Sequence, residues 1–136
     1  MSYDSEAGLQ QAKGSGMPNT KIELGKRGEN LAAEFLIARG FSIIARNVRT
    51  PYGELDLVGF QPETLVIFEV KTRRTDTYGF PEDAISTTKR AHLMASAQAF
   101  IQDHPELPGN WRIDVIAINL RPDKKPEIEW FENAVS

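Results

Sequence analysis

The chain reads as an α/β domain with a mixed central sheet, in the order αβββαβ with one further strand at the end. Three observations point there. Residues 20–39 carry apolar side chains at helical spacing. Residues 41–72 hold three apolar runs parted only by short turns, which favours an antiparallel meander. Residues 86–103 resume the helical period and lead into a strong strand at 111–120, reached through a helix and so expected parallel to the third strand.

The 136 residues amount to one domain, with a core large enough to fold alone. A hydrophobic content of 40% and a charged content of 26% are ordinary for a globular protein. No apolar run approaches the ~18–20 residues of a membrane span. Residues 1–18 lack the apolar core of a secretory signal, so a cytoplasmic protein without membrane contact is expected. The absence of cysteine excludes disulfides, thiolate zinc sites and a cysteine nucleophile. A net charge of −3 does not advertise a nucleic-acid binder. From Arg46 to Arg90, seven basic residues face seven acidic ones, so this stretch turns net positive only if some acids are committed to metal.

In chain order, residues 1–18 are polar, with Gly8, Gly14, Gly16 and Pro18, and read as a disordered leader before a folded domain over 19–136. Asn19 or Thr20 caps the first helix, Glu23 sits in its first turn and Gly40 follows its end. Leu24, Gly28, Leu31, Phe35 and Ala38 form its apolar stripe, widened by Ala32 and Leu36. Glu29 falls beside Leu36 at one edge of the stripe, where a carboxylate can reach across to a sheet. The first strand covers 41–48, and the turn after it is punctuated by Pro51 and Gly53. The second strand covers 53–60 and the third 65–72. A polar loop containing Tyr78-Gly79-Phe80-Pro81 leads to the second helix, capped by Ser86, Thr87 or Thr88, with a stripe of Leu93, Ala97, Phe100 and Ile101. Lys89 and Arg90 in its first turn are either a phosphate-binding corner or a solvated helix end. Residues 127–132 alternate as an edge strand, with Ile128 and Trp130 on one side.

The chemistry gathers on the second and third strands. Residues two apart on a strand share a face, which places Glu54 with Asp56 and Glu69 with Lys71. Paired strands would bring three carboxylates and one ammonium to one patch. A surface ladder of ion pairs is the structural alternative. Residues 65–68 are continuously apolar, however, and ionisable groups at the end of a buried strand require a partner or an ion. Clustered carboxylates repel unless a cation lies between them, and an all-oxygen site without His or Cys fits Mg²⁺ or Mn²⁺ rather than zinc. Such an ion activates water and neutralises a phosphodiester, while Lys71 either positions or deprotonates the water or holds the scissile phosphate.

The combination Gly25-Lys26-Arg27-Gly28-Glu29…Ala32, Arg46-Asn47…Gly53-Glu54-Leu55-Asp56-Leu57, Phe68-Glu69-Val70-Lys71-Thr72-Arg73, Gly79-Phe80-Pro81, Lys89 and Arg112-Ile113-Asp114-Val115 resembles the PD-(D/E)xK nucleases, which share the restriction-endonuclease-like fold. More closely it resembles the YraN-type bacterial family, related to archaeal Holliday junction resolvases. The likeness spans about 21–118, with Leu55 where the motif name has proline. It implies that Asp56 and Glu69 ligate metal, that Lys71 supports catalysis and that Glu29 is an outer acid completing the site. The Val70 carbonyl is a further oxygen by the same analogy. Glu54 is either an alternate ligand or a neutraliser of Arg46, Arg49 or Arg73. Arg46, Arg49, Arg73, Arg74, Lys89 and Arg90 are the expected nucleic-acid contacts. Arg112 and Asp114 are expected as an ion pair between strands, outside the catalytic set.

The expected function is a Mg²⁺- or Mn²⁺-dependent endonuclease acting on DNA, branched DNA in recombination or repair above all, with RNA as a variant of the same expectation. The alternative is a non-cleaving nucleic-acid-binding or accessory module on the same fold, to which the balanced charge points. Junction cleavage needs two nicks related by symmetry, so a resolvase would be a homodimer, with Trp111, Trp130 and the terminal strand as interface candidates if they are not core.

Overall fold

The computed structural model describes residues 20–74 and 85–136. The expected leader at 1–18 and the Tyr78-Gly79-Phe80-Pro81 loop lie outside them. Helix α1 (Lys21–Ile37) starts at Thr20, whose extended backbone frees its hydroxyl to accept the Glu23 N–H at 3.0 Å. Its fully covered positions are Gly28, Ala32, Ala33 and Leu36, with Leu24, Leu31 and Phe35 at the margin. The centre of the stripe is therefore a row of small residues. This places Glu29 at the border of the covered face.

Five strands lie side by side in chain order: β1 (Ser42–Thr50), β2 (Gly53–Gln61), β3 (Thr64–Arg74), β4 (Trp111–Leu120) and β5 (Glu127–Val135). Neighbours are antiparallel except β3 and β4, which run parallel because helix α2 (Thr87–Gln102) carries the chain back across the sheet. The expected αβββαβ order, the meander and the parallel return are all present. The final strand runs to Val135, beyond the expected end at 132.

Each face of the sheet carries one helix and one core. Ala32 and Leu36 of α1 pack with Phe41, Leu57, Val66, Phe68, Ile116 and Ile118. Leu93, Ala97 and Phe100 of α2 pack with Leu55, Val58, Leu65, Ile67 and Ile113. The run Leu65 to Phe68 is unbroken because β3 is covered on both sides, Leu65 and Ile67 by α2, Val66 and Phe68 by α1.

Helix α1 sits close on β3. A Cβ at Gly28 would collide with the Thr72 side chain, so only glycine permits this approach. Gly28→Ala is expected to cost about 1–3 kcal/mol by overpacking, although alanine favours helix by about 1 kcal/mol. Denaturant unfolding checks the sign of the net effect.

Asp114 ties the far side of the sheet. The β4–β5 register breaks between Ile113 and Val115, and the Asp114 carboxylate, 0% exposed, fills the irregularity. It accepts from Arg112 Nε at 2.9 Å, Trp130 Nε1 at 2.9 Å and the Asn133 backbone N–H at 2.7 Å. The Arg112–Asp114 pair thus lies within β4 instead of between strands, and Trp130 and Asn133 make the cross-strand tie. Trp130 also meets Phe35 and Phe41 edge-on, and Trp111 packs at the margin of the α2-side core. Both tryptophans serve the protein's own packing. Among the described residues, no helix is long and apolar enough to cross a membrane.

Candidate active site at the fork of strands β2 and β3

The β2–β3 ladder runs from Gln61↔Thr64 to Leu57↔Phe68 and then stops. Beyond it β2 stays with β1 to the pair Thr50↔Gly53, and β3 stays with β4 to Arg74↔Leu120. The two strands diverge at Asp56 and Glu69. Asp56 closes the fork: its Oδ2 accepts the Val70 backbone N–H at 2.8 Å, in place of a ladder carbonyl.

Strand alternation fails at the same point. Leu55 packs on the α2 side and Leu57, two residues on, packs on the α1 side. Across from Asp56, Asn47 falls in the gap between the pairs Arg46↔Leu57 and Val48↔Leu55 and has φ 51°, in the left-handed region. Asparagine tolerates that region better than most residues. The expectation that Glu54 and Asp56 project together from one face is corrected by this break. Glu54 is exposed, while Asp56 is half-buried and turned toward β3.

Glu69 is 4% exposed and follows Ile67 on the α2 side. Lys89, from the first turn of α2, brings its Nζ to 3.3 Å from Glu69 Oε2. Burial pushes the Glu69 carboxyl up to about 7, helped by the charge of Asp56 and a hydrogen bond with it, and opposed by Lys89. Glu29 approaches from α1, and its carboxyl is also raised, first by burial and then by the charge of Asp56; a hydrogen bond from Asn47 and the charge of Arg46 oppose, and Glu54 adds to the rise. Asp56 acts on both glutamates. Among the described residues no three His, Cys, Asp or Glu side chains come together as a metal-binding group.

Lys71 continues the α2-side face of β3, half-buried and level with Ala117. Among the described residues it has no ion-pair partner. The expected nucleic-acid contacts spread out. Arg46 donates to Asn30 Oδ1 at 2.9 Å beside Glu29, and Arg49 lies across from Glu54. Arg73 and Arg74 are exposed at the end of β3. The expected corner of Lys89 and Arg90 divides, since Arg90 donates to the Ala134 carbonyl at 3.1 Å while Lys89 turns to Glu69. Sequence reasoning gave no role to Asn47 and Asn30. The available signal was an asparagine inside a β-branched strand, where its propensity is poor.

The class that fold and site define is an α/β domain of order αβββαβ with a final strand, a mixed five-stranded sheet covered by a helix on each face, and acids placed where β2 and β3 part. The chain belongs to Uncharacterised protein family UPF0102, whose model matches residues 28–118. It is 43% identical to a UPF0102 protein of Dehalococcoides mccartyi over 119 residues, 88% of this chain and 98% of that protein. It is 47% identical to a UPF0102 protein of Renibacterium salmoninarum over 110 residues, 81% of this chain and 93% of that protein. Among solved structures, a repair endonuclease from Pyrococcus abyssi is similar with a TM-score of 0.46 at 18% identity, over 80% of this chain and 42% of that one. The chain thus spans less than half of that endonuclease.

Proposed function

We propose that this protein is a cytoplasmic Mg²⁺- or Mn²⁺-dependent endonuclease that hydrolyses DNA phosphodiesters, with branched DNA in recombination or repair as its preferred substrate. The observation that carries the proposal is the meeting of Asp56 and Glu69 at the β2–β3 fork, beside a lysine with no ion-pair partner among the described residues. Two carboxylates in hydrogen-bonding contact, one pushed up to about 7, form a site in want of a cation. The donors are all oxygens, and Mg²⁺ binds through one or two carboxylates while keeping its waters, so a pair suits it better than a crowded cluster.

Asp56 and Glu69 would hold the ion, with the Val70 carbonyl as a further oxygen and Glu29 behind Asp56, reaching the site through water. When bound, the ion supplies a water of lowered pKa and charge for the phosphodiester. Lys71 positions that water or holds the scissile phosphate. Glu54 supports from the exposed end of β2 by keeping Arg49 oriented. Arg46, Arg49, Arg73 and Arg74 follow the flanking phosphates, which orients the strand without reading its sequence.

The test is a cleavage panel of duplex, single-stranded, flap and four-way junction DNA and matched RNA, with Mg²⁺, Mn²⁺ or EDTA. Metal-dependent cleavage favouring branched DNA is expected, and cleavage confined to RNA would move the substrate class. Sedimentation with a junction should give a homodimer, since paired nicks need a two-fold complex. A monomer that cleaves would leave a nicking enzyme in place of a resolvase.

One observation favours a second reading, a non-cleaving nucleic-acid-binding module: the Lys89 ammonium stands 3.3 Å from Glu69, where the ion would bind. That protein would bind DNA in a salt-dependent way and show no turnover with either metal.

A further inference from the structure

Lys89 stands in the first turn of α2 and reaches a carboxylate of β3. Its side chain is 49% exposed, yet its ammonium lies 3.3 Å from a carboxylate whose side chain is only 5% exposed. A cation in the first turn of a helix is disfavoured by the helix dipole. No acidic residue in that turn offsets it, and the neighbouring Arg90 is held elsewhere, on the Ala134 carbonyl. The backbone at this point is pinned, because the Ser86 hydroxyl accepts the Lys89 N–H at 3.1 Å and caps the helix. What keeps the ammonium in place is Glu69.

Taking Asp56 and Glu69 as the metal ligands proposed above, we infer that Lys89 is a second functional lysine of this site. It stands against Glu69 where the divalent ion would, and moves to a substrate phosphate oxygen when the ion takes that carboxylate. An ammonium and a divalent ion cannot both neutralise one oxygen at close range, so the two compete. The half-exposed four-carbon stem can turn outward while α2 stays still. Released there, the ammonium stands at a helix start, a setting suited to phosphate. The exchange couples metal and substrate, since each then raises the affinity for the other.

Calorimetric titration of the full chain with Mn²⁺ alone, at pH 8.5 and without DNA, tests the competition. Lys89→Met should bind Mn²⁺ about two- to fivefold tighter than wild type, the range of a half-exposed ion pair that the metal no longer has to break. Lys89→Arg should restore wild-type affinity, and Glu69→Gln should lose the site. In the cleavage assay, KM for DNA should rise in Lys89→Met by roughly tenfold, as expected for one lost charged contact to phosphate. If Lys89→Met binds Mn²⁺ no tighter while Glu69→Gln still abolishes binding, Lys89 is not a competitor and the metal site stands without it. Tighter Mn²⁺ with an unchanged KM would overturn the transfer to phosphate. If wild type binds no more Mn²⁺ than Glu69→Gln, the metal site itself falls, and the inference with it.

Discussion

Glu69→Gln is expected to abolish metal-dependent cleavage, by roughly a thousandfold or more, and to make the protein more stable at pH 8. The two effects share one cause. Glu69 is 4% exposed and its carboxyl is pushed from the usual 4.5 up to about 7 by burial and by Asp56. Below about pH 4.5 the group is protonated in the folded and unfolded chain alike, so wild type and variant should then have equal stability. Between 4.5 and 7 the unfolded chain ionises while the folded one keeps its proton, so wild-type stability falls as pH rises and levels off above 7. That span corresponds to about 3 kcal/mol, which glutamine, unable to ionise, does not lose. Its amide can still donate to Asp56. Denaturant unfolding at pH 4 and pH 8 reads the difference directly. An equal effect of the substitution at both values would show that the Glu69 carboxyl is not held protonated by the fold.

The second large effect belongs to Asp114. Asp114→Ala should destabilise the protein by about 3–5 kcal/mol, the range for removing one partner of a buried ion pair. The carboxylate serves Arg112, Trp130 Nε1 and the Asn133 N–H at once, and truncation strands all three donors in a break of register. Trp130 is also an edge partner of Phe35 and Phe41, so the loss reaches the α1-side core. Cleavage at low temperature should be retained in the portion that remains folded, because the Asp114 carboxylate is bonded toward β5, on the opposite side of β3 from the fork with β2. A shift of the urea midpoint without loss of specific activity is the expected pattern. Loss of activity in a fully folded Asp114→Ala protein would place this residue in the site.

The elements were legible because each is a local matter. Thr20 and Ser86 are good caps, the covered positions of each helix recur at helical spacing, and the turns around Pro51 and Gln61 are short. The parallel return of β4 followed from the helix before it. The fork was not legible. Strand alternation is a local rule, and the break at Asp56 depends on two partners pulling apart: β1 keeps β2 through the left-handed Asn47, while β4 keeps β3. The same break parts the exposed Glu54 from the half-buried Asp56. The pairing of Lys89 with Glu69 was hidden for a related reason. Twenty residues and a helix start separate them, and only the packing of α2 on its face of the sheet brings them together.

The central claim is that carboxylates at this fork cut phosphodiesters with a divalent ion. A single-turnover time course on an end-labelled four-way junction, comparing wild type with Asp56→Asn in Mg²⁺ and in EDTA, tests it most directly. Asparagine keeps a carbonyl for the Val70 N–H, so the fork stays closed and only the charge is lost. Wild type is predicted to nick the junction in Mg²⁺ and not in EDTA, and Asp56→Asn to be slower by roughly a thousandfold. Equal cleavage by the two proteins, or cleavage that persists in EDTA, would contradict the account.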